Sequence, residues 1–416
     1  MRLSRAVNIA DLRRMAQRRL PPVIFDYIDG GAEDEITLRA NERAFADVGF
    51  RPRQCVETPN PDLRTTVLGT TFDLPFLLAP LGFCRMFYPR GESVAAREAH
   101  AAGTAYILST FSGQRIEDVR ADTDGPLWYQ LYVPGGRAVA EATMARARAA
   151  GYSVLVVTID TPVSGMRERD IRRGAGPLLK VRLPAFARSA SARSRRSLGG
   201  GGKPDTTGWH SVRAMLPHIW QFTTHPRWVM GYLGDGAPRV FPNVELPGVG
   251  PMPCGDTGVL LAETNVTWQD LAWIRDAWHG PIVIKGVHTG DVARQAVDAG
   301  ADAVIVSNHG GRQLDGVAAS IRVLPEVVAA VGDRVDVLMD GGIRRGADIV
   351  KARCLGARAV LIGRAYGWAL GAAGGPGVAR AIGILKADLI RTMRLLGCGS
   401  MNELDGSFVD VPSCRV

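Results

Sequence analysis

The sequence has no apolar run near the roughly 18 residues that a membrane-spanning helix needs. Its first residues, Met1 to Asp11, lack the apolar core of a signal peptide, so the cytoplasm is the expected location. The six cysteines include no C-x-x-C pair, which argues against a zinc knuckle and against a disulfide framework. Nicotinamide, P-loop and zinc-protease sites have no motif support, because G-x-G-x-x-G, G-x-x-x-x-G-K and H-E-x-x-H are all missing.

The composition is that of a soluble globular protein, with 46% hydrophobic and 22% charged residues. A chain of 416 residues can form two average domains or one large α/β barrel. The formal net charge is +9, and the segment 182–239 holds nine Lys or Arg against two Asp or Glu, a net of +7. Because the charge is confined to one segment, it indicates an accessory role, and no nucleic-acid partner is expected.

A histidine and an arginine follow the apolar run Ala303–Val306, in the stretch S-N-H-G-G-R-Q-L-D-G that covers Ser307–Gly316. The run is short and mostly β-branched, which predicts a buried strand that ends where the polar residues begin. His309 is suited to proton transfer near neutral pH, and Arg312 offers a planar set of donors for a carboxylate. Taken alone, the stretch fits equally well a turn whose histidine only hydrogen-bonds the backbone.

Eight short apolar runs alternate with helix-like segments from residue 75 onwards, a rhythm typical of parallel βα units. The runs are Phe76–Pro80, Ala105–Ser109, Leu127–Tyr132, Val154–Asp160, Ile282–Gly286, Ala303–His309, Asp336–Gly342 and Ala359–Arg364. They predict a (β/α)8 TIM barrel, an α/β fold, as a single domain over 1–416. An N-terminal helical segment precedes the barrel, with Asn8 as the cap of a helix that Pro21 and Pro22 end.

Most runs end in a polar residue or a glycine, at the position where barrel enzymes carry their active sites. These ends are Ser109, Gln130 with Tyr132, Thr158 with Asp160, Lys285, His309, Asp340 with Gly341 and Gly342, and Gly363 with Arg364. The last two ends, together with Arg344, predict a phosphate site, since glycine-flanked amides and arginines bind phosphate well.

The segment 165–264 interrupts the rhythm after the fourth strand. It contains S-A-S-A-R-S-R-R at Ser189–Arg196 and four glycines at Gly199–Gly202, which indicate a flexible basic linker. Aromatic residues follow, among them Trp220 and Trp228. This mixture predicts a lid, or contact of the basic 182–239 segment with a membrane or another partner. A solvated loop with one small packed helix is the alternative.

The stretch S-N-H-G-G-R-Q-L-D resembles the signature of the FMN-dependent L-2-hydroxy acid oxidases and dehydrogenases, which include glycolate oxidase, flavin-dependent L-lactate dehydrogenase and L-mandelate dehydrogenase. The resemblance extends from Tyr27, in D-Y-I-D-G-G-A, to the end of the chain. It implies noncovalent FMN, oxidation of a small L-2-hydroxy acid to the 2-oxo acid, and electron transfer to a quinone, a carrier or O2. It also implies a homo-oligomer, often a tetramer, and in some members peripheral contact with the inner face of the membrane.

The resemblance further implies roles for single residues. His309 is the base, Asp160 orients it, and Lys285 stabilises the negative charge of the reduced flavin. The implied substrate contacts are Tyr27, Phe111, Tyr132, Arg167 and Arg312. The implied FMN contacts are Ala79, Pro80, Leu81, Gly82, Ser109, Gln130, Thr158, Lys285, Ser307, Asp340, Gly341, Gly342, Arg344, Gly363 and Arg364.

Two positions bear on substrate and electron acceptor. Phe111 stands where glycolate oxidase has a tryptophan, and a bulky ring there favours a small substrate such as L-lactate. The segments 26–35 and 166–170 nevertheless resemble L-mandelate dehydrogenase, so both substrates stay open. Gly82 stands where many oxidases carry alanine, which favours a dehydrogenase, although lactate monooxygenase also has glycine there.

The alternative within the same superfamily is a flavoenzyme similar to that of mycofactocin maturation, which acts on a peptide-derived substrate. That enzyme lacks the arginine of the motif, so Arg312 favours a free 2-hydroxy acid. A non-redox barrel that binds sugar phosphates would explain the glycines of the last two strand ends, but it leaves Lys285 and His309 without a joint role.

Overall fold

The computed structural model describes residues 2–175, 219–256 and 265–411, and within them eight parallel strands close into a barrel. The strands are β1 (Phe76–Leu78), β2 (Tyr106–Ser109), β3 (Leu127–Leu131), β4 (Val154–Thr158), β5 (Ile282–Val287), β6 (Ala303–Val306), β7 (Asp336–Asp340) and β8 (Ala359–Ile362). Strand β8 pairs with β1 in parallel, Val360 with Phe76 and Ile362 with Leu78, which closes the ring. The strands coincide with the eight apolar runs, so the predicted (β/α)8 fold is confirmed.

Apolar side chains fill the barrel, because alternate residues of each strand point inward. The buried cluster inside includes Leu77, Ile107, Trp128, Val156, Ile305, Leu338 and Leu361. A hairpin of Thr65–Val67 and Thr70–Phe72 adds Val67 and Phe72 to this cluster. Since the hairpin amide of Leu68 donates to Asp336 at the start of β7, this end of the barrel is closed. An active site is therefore expected at the opposite end, where the carboxyl ends of the strands lie.

Helices surround the barrel and extend it at both ends of the chain. They are α1 (Ile9–Arg19), α2 (Pro22–Asp29), α3 (Ile36–Arg43), α4 (Gly91–Ala101), α5 (Ile116–Ala121), α6 (Arg137–Ala149), α7 (Glu168–Arg172), α8 (Ile219–Thr223), α9 (Pro226–Gly234), α10 (Asp270–Trp278), α11 (Gly290–Asp298), α12 (Ser320–Val331), α13 (Gly346–Cys354), α14 (Arg364–Ala373) and α15 (Gly375–Leu396). A short pair of Gly49–Phe50 and Val409–Asp410 joins the two ends of the chain.

The N-terminal segment forms three helices. Asn8 caps α1 as predicted, because its side chain accepts a hydrogen bond from the Asp11 amide at 2.8 Å. The prolines do end α1, but Pro22 also begins α2, where a missing amide proton costs nothing. Helix α2, which carries Tyr27, was not recognised in the sequence. Its apolar face, including Phe25 and Ile28, packs into the main core.

The insertion after β4 is described in part. It contains α7, α8, α9 and an antiparallel pair of Val240–Leu246 and Gly250–Pro253. Trp228 and Phe241 are buried, so this part packs against the barrel. The predicted basic linker, Ser189 to Gly202, lies outside the described residues. In the described part of the chain, no helix combines the length and apolar character that crossing a bilayer requires.

Helix α15 offers a matched test of packing, because two of its glycines differ in their surroundings. A Cβ on Gly377 would lie 2.0 Å from the Ala369 carbonyl oxygen of α14, whereas a Cβ on Gly383 would meet nothing within 4 Å. We expect Gly377→Ala to lower the free energy of unfolding by about 1–3 kcal/mol through overpacking. Gly383→Ala should raise it by about 0.5–1 kcal/mol, since alanine favours the helix. Urea titration followed by circular dichroism measures both, and equal effects of the two substitutions would contradict this packing.

Candidate active site

A cavity of about 370 Å³ opens at the carboxyl ends of the barrel strands. Each of the residues predicted for catalysis, substrate and cofactor either lines it directly or contacts a lining residue. The lining includes Tyr27, Ala79, Pro80, Leu81, Gly82, Ser109, Phe111, Gln130, Tyr132, Thr158, Arg167, Lys285, His309, Arg312, Asp340, Gly341, Gly342, Arg344, Gly363 and Arg364. Ser307 and Asp160 lie one step behind, in hydrogen bonds with Lys285 and His309.

His309 and Asp160 form a half-buried pair just after the ends of β6 and β4. His309 Nδ1 lies 2.8 Å from Asp160 Oδ1, and this carboxylate also accepts from the Thr161 hydroxyl at 2.9 Å. Because a carboxylate oxygen can only accept, Nδ1 carries the proton and Nε2 is left as an acceptor. His309 adopts a left-handed backbone conformation with φ of 58°, a strained geometry that the following glycines accommodate.

The protonation states of this pair follow from burial and neighbouring charges. Burial lowers the pKa of His309, and the opposing effect of Asp160 does not fully compensate, so the imidazole is neutral at pH 7. Burial raises the pKa of Asp160, but His309 and Lys285 outweigh it and hold that pKa below its ordinary value. The site therefore presents a neutral imidazole backed by a carboxylate.

Lys285 lies at the end of β5 beside a second carboxylate. Its Nζ is 2.9 Å from Asp340 Oδ2 and donates to the Ser307 hydroxyl at 2.9 Å. Burial disfavours the charged form, yet Asp340 and Asp160 raise the pKa of Lys285 above its usual value. Ser307 in turn donates to Asp340 Oδ1 at 2.6 Å. A fixed cation is thus held on one wall of the cavity.

Two arginines face the cavity near Tyr27. Arg312 donates to the carbonyl oxygens of Tyr27 and Gly30, and its guanidinium lies 5.2 Å from the Tyr27 ring centroid. Burial and the neighbouring Arg167 lower the pKa of Arg312 to about 10, so it is still a cation at pH 7. In the described part of the chain, the buried Nε of Arg167 has no hydrogen-bond partner. Both arginines therefore keep donors available for an anion.

Ion pairs between α2 and α7 place Tyr27 in the wall. Arg169 of α7 contacts both Asp26 and Asp29 of α2, and Arg173 donates to Asp26 at 2.9 Å. Arg13 of α1 binds Asp29 from the other side at 2.5 Å. These contacts clamp α2 against the insertion, and Tyr27 lies between the two clamped aspartates in the sequence.

Aromatic rings cover the wall at the ends of β2 and β3. Phe111 and Tyr132 stack with centroids 5.1 Å apart, and Phe241 of the insertion packs on Phe111 at 5.0 Å. A Cβ on Gly82 would lie 3.4 Å from the Tyr27 hydroxyl and 3.6 Å from Phe111. The insertion therefore completes a narrow apolar side of the cavity.

The predicted phosphate site lies at the ends of β7 and β8. Gly341 and Gly342 have φ of 99° and 81°, and α14 begins directly after Gly363, so its first amides face the cavity. Arg364 is more occupied than predicted, because it donates to the carbonyl oxygens of Ile28, Gly30 and Gly310. Burial lowers the pKa of Arg364 to about 9. Arg344 binds Glu42 at 2.8 Å.

The cavity lining fits a flavin. Within the described residues, Gln130 Nε2 and Thr158 Oγ1 are buried without a hydrogen-bond partner, and both residues line the cavity beside the cation of Lys285. Buried polar atoms are nearly always paired, so these two indicate a polar ligand at this wall. A flavin ring edge offers matching carbonyl and ring-nitrogen groups, and the helix end at Gly363 suits its phosphate.

Sequence reasoning missed several residues of the site. Thr161 binds Asp160 and lies 3.4 Å from the Tyr132 hydroxyl. Gln313 donates to the carbonyl oxygens of Asp160 and Val163, which ties the β4 loop to the β6 loop. Asp170 lines the cavity, and burial raises the pKa of its carboxyl. Thr161 and Gln313 adjoin predicted residues and could have been found, whereas Phe241 carries no local signal.

Comparisons with known proteins agree with this site. The model of the FMN-dependent dehydrogenase family matches residues 16–411. An L-lactate dehydrogenase of Caulobacter vibrioides is 42% identical over 405 residues, which cover 95% of this chain and 96% of the relative. An L-lactate dehydrogenase of Caulobacter sp. strain K31 is 39% identical and covers 97% of this chain and 98% of its own.

Solved structures show the same architecture. A monotopic membrane protein, (S)-mandelate dehydrogenase, superposes with a TM-score of 0.83 and is 34% identical, with 98% of this chain and 100% of that chain covered. A mandelate oxidase gives a TM-score of 0.74 at 32% identity, with 97% and 98% covered. The extent of these matches leaves one conclusion, that the chain belongs to the FMN-dependent dehydrogenase family.

Proposed function

We propose that this FMN-dependent 2-hydroxy acid dehydrogenase oxidises L-lactate, or a substrate with an equally small side chain, to the 2-oxo acid. The observation that carries this is the stacked pair of Phe111 and Tyr132, backed by Phe241, on the apolar side of the cavity. Three rings packed at about 5 Å leave little width for a second aromatic group. The curated relatives support the same choice, and they do not favour the peptide-derived substrate of the alternative.

Arg312 and Arg167 bind the substrate carboxylate. Both are cations that face the cavity with donors to spare, and two arginines hold a carboxylate in a fixed orientation. The hydroxyls of Tyr27 and Tyr132 add donors on either side. Burial raises the pKa of both tyrosines, so they stay protonated as donors. These contacts with the carboxylate determine which face of the substrate is turned toward His309.

His309 removes a proton from the substrate through Nε2. The proton on Nδ1 is fixed by Asp160, and the same carboxylate stabilises the imidazolium that forms when Nε2 is protonated. Thr161 keeps the carboxylate oriented by donating to Oδ1. The lowered pKa of His309 keeps it unprotonated, and therefore competent as a base, at neutral pH.

The remaining wall binds the cofactor. Lys285, Gln130, Thr158 and Ser109 would hold the flavin ring, together with the backbone from Ala79 to Gly82. Ser307 and Asp340 hold Lys285 in place. The amides at Gly341 to Gly342 and Gly363, with Arg344 and Arg364, would hold the ribityl chain and phosphate. When bound, FMN accepts the two electrons that leave the substrate, and the cation of Lys285 favours the resulting negative charge.

We further propose that the insertion touches an anionic membrane surface. Helices α8 and α9 expose Trp220, Met230 and Leu233 by 51%, 72% and 54%, and Arg227 is exposed between them. Exposed apolar side chains beside a cation are typical of a surface that dips into lipid headgroups. The solved (S)-mandelate dehydrogenase is described as monotopic, which supports a peripheral location for this chain as well.

The substrate assignment is tested by anaerobic mixing of the FMN-loaded protein with L-lactate and, separately, L-mandelate. We expect L-lactate to bleach the flavin faster. Phe111→Ala should raise the rate with mandelate relative to lactate by at least about tenfold, since removing a ring from a packed side-chain pocket changes discrimination by that order. Faster bleaching of the wild type by mandelate would overturn the small-substrate proposal. No bleaching by any 2-hydroxy acid would favour the peptide-derived substrate instead.

The role of Asp160 is tested by the pH dependence of kcat/KM. His309 must be neutral to accept a proton, so activity rises with pH and levels off above its pKa, which lies below the ordinary value of about 6.5. Asp160 raises that pKa, hence Asp160→Asn should move the acid limb to lower pH. The plateau should fall by about 10²–10⁴-fold, because the imidazolium loses its carboxylate. Thr161→Val is the matched control: it keeps the charge, so the limb should stay in place. A limb that moves to higher pH in Asp160→Asn would contradict this pairing.

The membrane surface is tested with vesicles rich in phosphatidylglycerol. We expect the combined change Trp220→Ser, Met230→Ser and Leu233→Ser to weaken co-sedimentation by at least about tenfold, because each buried apolar side chain contributes roughly 1.5–3 kcal/mol. Val7→Ser with Leu395→Ser is the control, since both residues are 70% exposed but lie away from the insertion. Equal loss in the two sets of variants would contradict a specific surface on α8 and α9.

A further inference from the structure

A second cavity, of about 210 Å³, lies beside the active site between the end of α1, the loop 85–89 and helix α9. Phe87 belongs to the lining of both cavities, and its buried ring lies 6.1 Å from the ring of Tyr27. The two cavities are thus neighbours that share one aromatic side chain. Of the residues given a role above, Arg227 in the membrane surface is the one that lines the second cavity, and no role in catalysis or in substrate or FMN binding uses this cavity.

The second cavity is held in shape by contacts at both ends of α9. Trp228 donates from its indole nitrogen to the Met86 carbonyl oxygen at 2.8 Å. Arg85 binds Asp235, just after the helix, at 2.7 Å and also donates to the Gly113 carbonyl oxygen. These contacts fix α9 to the loop that carries Phe87, so the cavity is a feature of the fold.

The lining of the second cavity combines flat rings with cations. Trp228 and Tyr232 stack with centroids 4.9 Å apart and planes inclined by 10°, and Tyr88 lies under the guanidinium of Arg19 at 4.9 Å. Arg227 also lines the cavity. Across residues 2–175, 219–256 and 265–411, neither Arg19 nor Arg227 forms an ion pair with an acidic side chain. Donors beside aromatic faces suit a planar ligand with carbonyl oxygens at its edge.

We propose that the second cavity binds the ring of a quinone, which serves as the electron acceptor. This rests on the proposed function, because oxidation of a hydroxy acid to an oxo acid releases two electrons and two protons that an acceptor must take up. A quinone takes up two electrons and two protons and becomes a quinol, which balances the reaction. Arg19 and Arg227 donate to the quinone oxygens, and Phe87 is the partition between this ring and the active-site cavity.

The exposed surface of α9 fits the rest of such a ligand. Met230 and Leu233 flank the lining residues Gly231 and Tyr232 and point apolar side chains to the outside. A quinone with an apolar tail can leave the cavity along these side chains. A phospholipid also has a polar head and an apolar tail, but flat rings around the head and the shared Phe87 favour the planar redox ligand.

Two glycines of α9 provide a matched pair for the test. A Cβ on Gly231 would lie 3.3 Å from Pro89, and both residues line the second cavity, whereas a Cβ on Gly234 meets nothing within 4 Å. Gly231→Leu fills the cavity, and Gly234→Leu places the same side chain on the same helix outside it. Neither glycine has a positive φ.

The experiment separates the two half-reactions of the FMN-loaded protein. L-Lactate first bleaches the flavin without air, and the reduced protein is then mixed with duroquinone or with ferrocenium, a cationic oxidant that arginines repel. We expect Gly231→Leu to slow recolouring by duroquinone at least about tenfold, a difference of about 1.4 kcal/mol. Recolouring by ferrocenium, the rate of bleaching, and all rates of Gly234→Leu should remain unchanged.

Arg227→Gln is a second variant, because this exposed side chain can be changed without risk to the fold. This substitution should slow recolouring of the flavin by duroquinone but not by ferrocenium. Arg18 is the control, because it is exposed beside Arg19 but does not line the cavity, so Arg18→Gln should leave recolouring by both oxidants unchanged. Calorimetric titration of duroquinone into the oxidised protein gives an independent reading: binding should be lost in Gly231→Leu and kept in Gly234→Leu.

Three results would overturn the proposal. In the first, duroquinone recolours Gly231→Leu at the wild-type rate. In the second, the substitution slows recolouring by both oxidants equally. Either result would place the acceptor in the active-site cavity itself. In the third, Gly231→Leu abolishes binding of short-chain phosphatidylglycerol but leaves binding of duroquinone unchanged. The second cavity would then be a lipid site. Loss of bleaching by L-lactate in the wild type would instead mean that the proposed function has failed.

Discussion

The hydrogen-bonded closure of eight parallel strands is the constraint on which the rest of the structure depends. Parallel strands that close into a ring bring all eight carboxyl ends to one rim, whatever their distance in the sequence. Lys285 and Asp340 lie near the carboxyl ends of β5 and β7, and His309 follows β6, so the three meet there because these strands are neighbours. In the described part of the chain, the hairpin 65–72 fills the opposite end of the barrel, so a ligand enters at the rim.

The resulting cavity is lined by more cationic than anionic side chains, and several of them are shielded from water. Lys285 and Arg364 are buried and Arg312 is half-buried, and burial lowers the pKa of both arginines. Burying a charge is unfavourable unless it is paired. Asp340 neutralises the charge of Lys285, but both arginines donate hydrogen bonds mainly to backbone carbonyl oxygens, including that of Gly30. Anionic ligands, a carboxylate and a phosphate, relieve this imbalance, which explains why such a site binds them.

The insertion and the N-terminal helices complete what the barrel begins. Arg169 of α7 fixes α2 through Asp26 and Asp29, and thereby Tyr27, while Phe241 closes the apolar side against Phe111. Helix α9 then forms the second cavity against the loop after β1. The segments outside the barrel therefore complete the cavity wall that the loops after the strands begin.

Local sequence patterns were enough to predict the eight strands, the helix cap at Asn8 and most of the residues that lie at the rim. This was so because strands are local, β-branched apolar runs, and because strand ends share a rim in any parallel barrel. Even so, these patterns missed α2, whose N-terminal proline and short length hid it within the preceding turn. The contact of Phe111 with Phe241, the clamp on Tyr27 and the second cavity were decided by the tertiary structure alone. The contacts of Phe111 with Phe241, of Asp26 with Arg169 and of Met86 with Trp228 each join residues more than a hundred positions apart. No local pattern records which distant side chains meet once the barrel has closed.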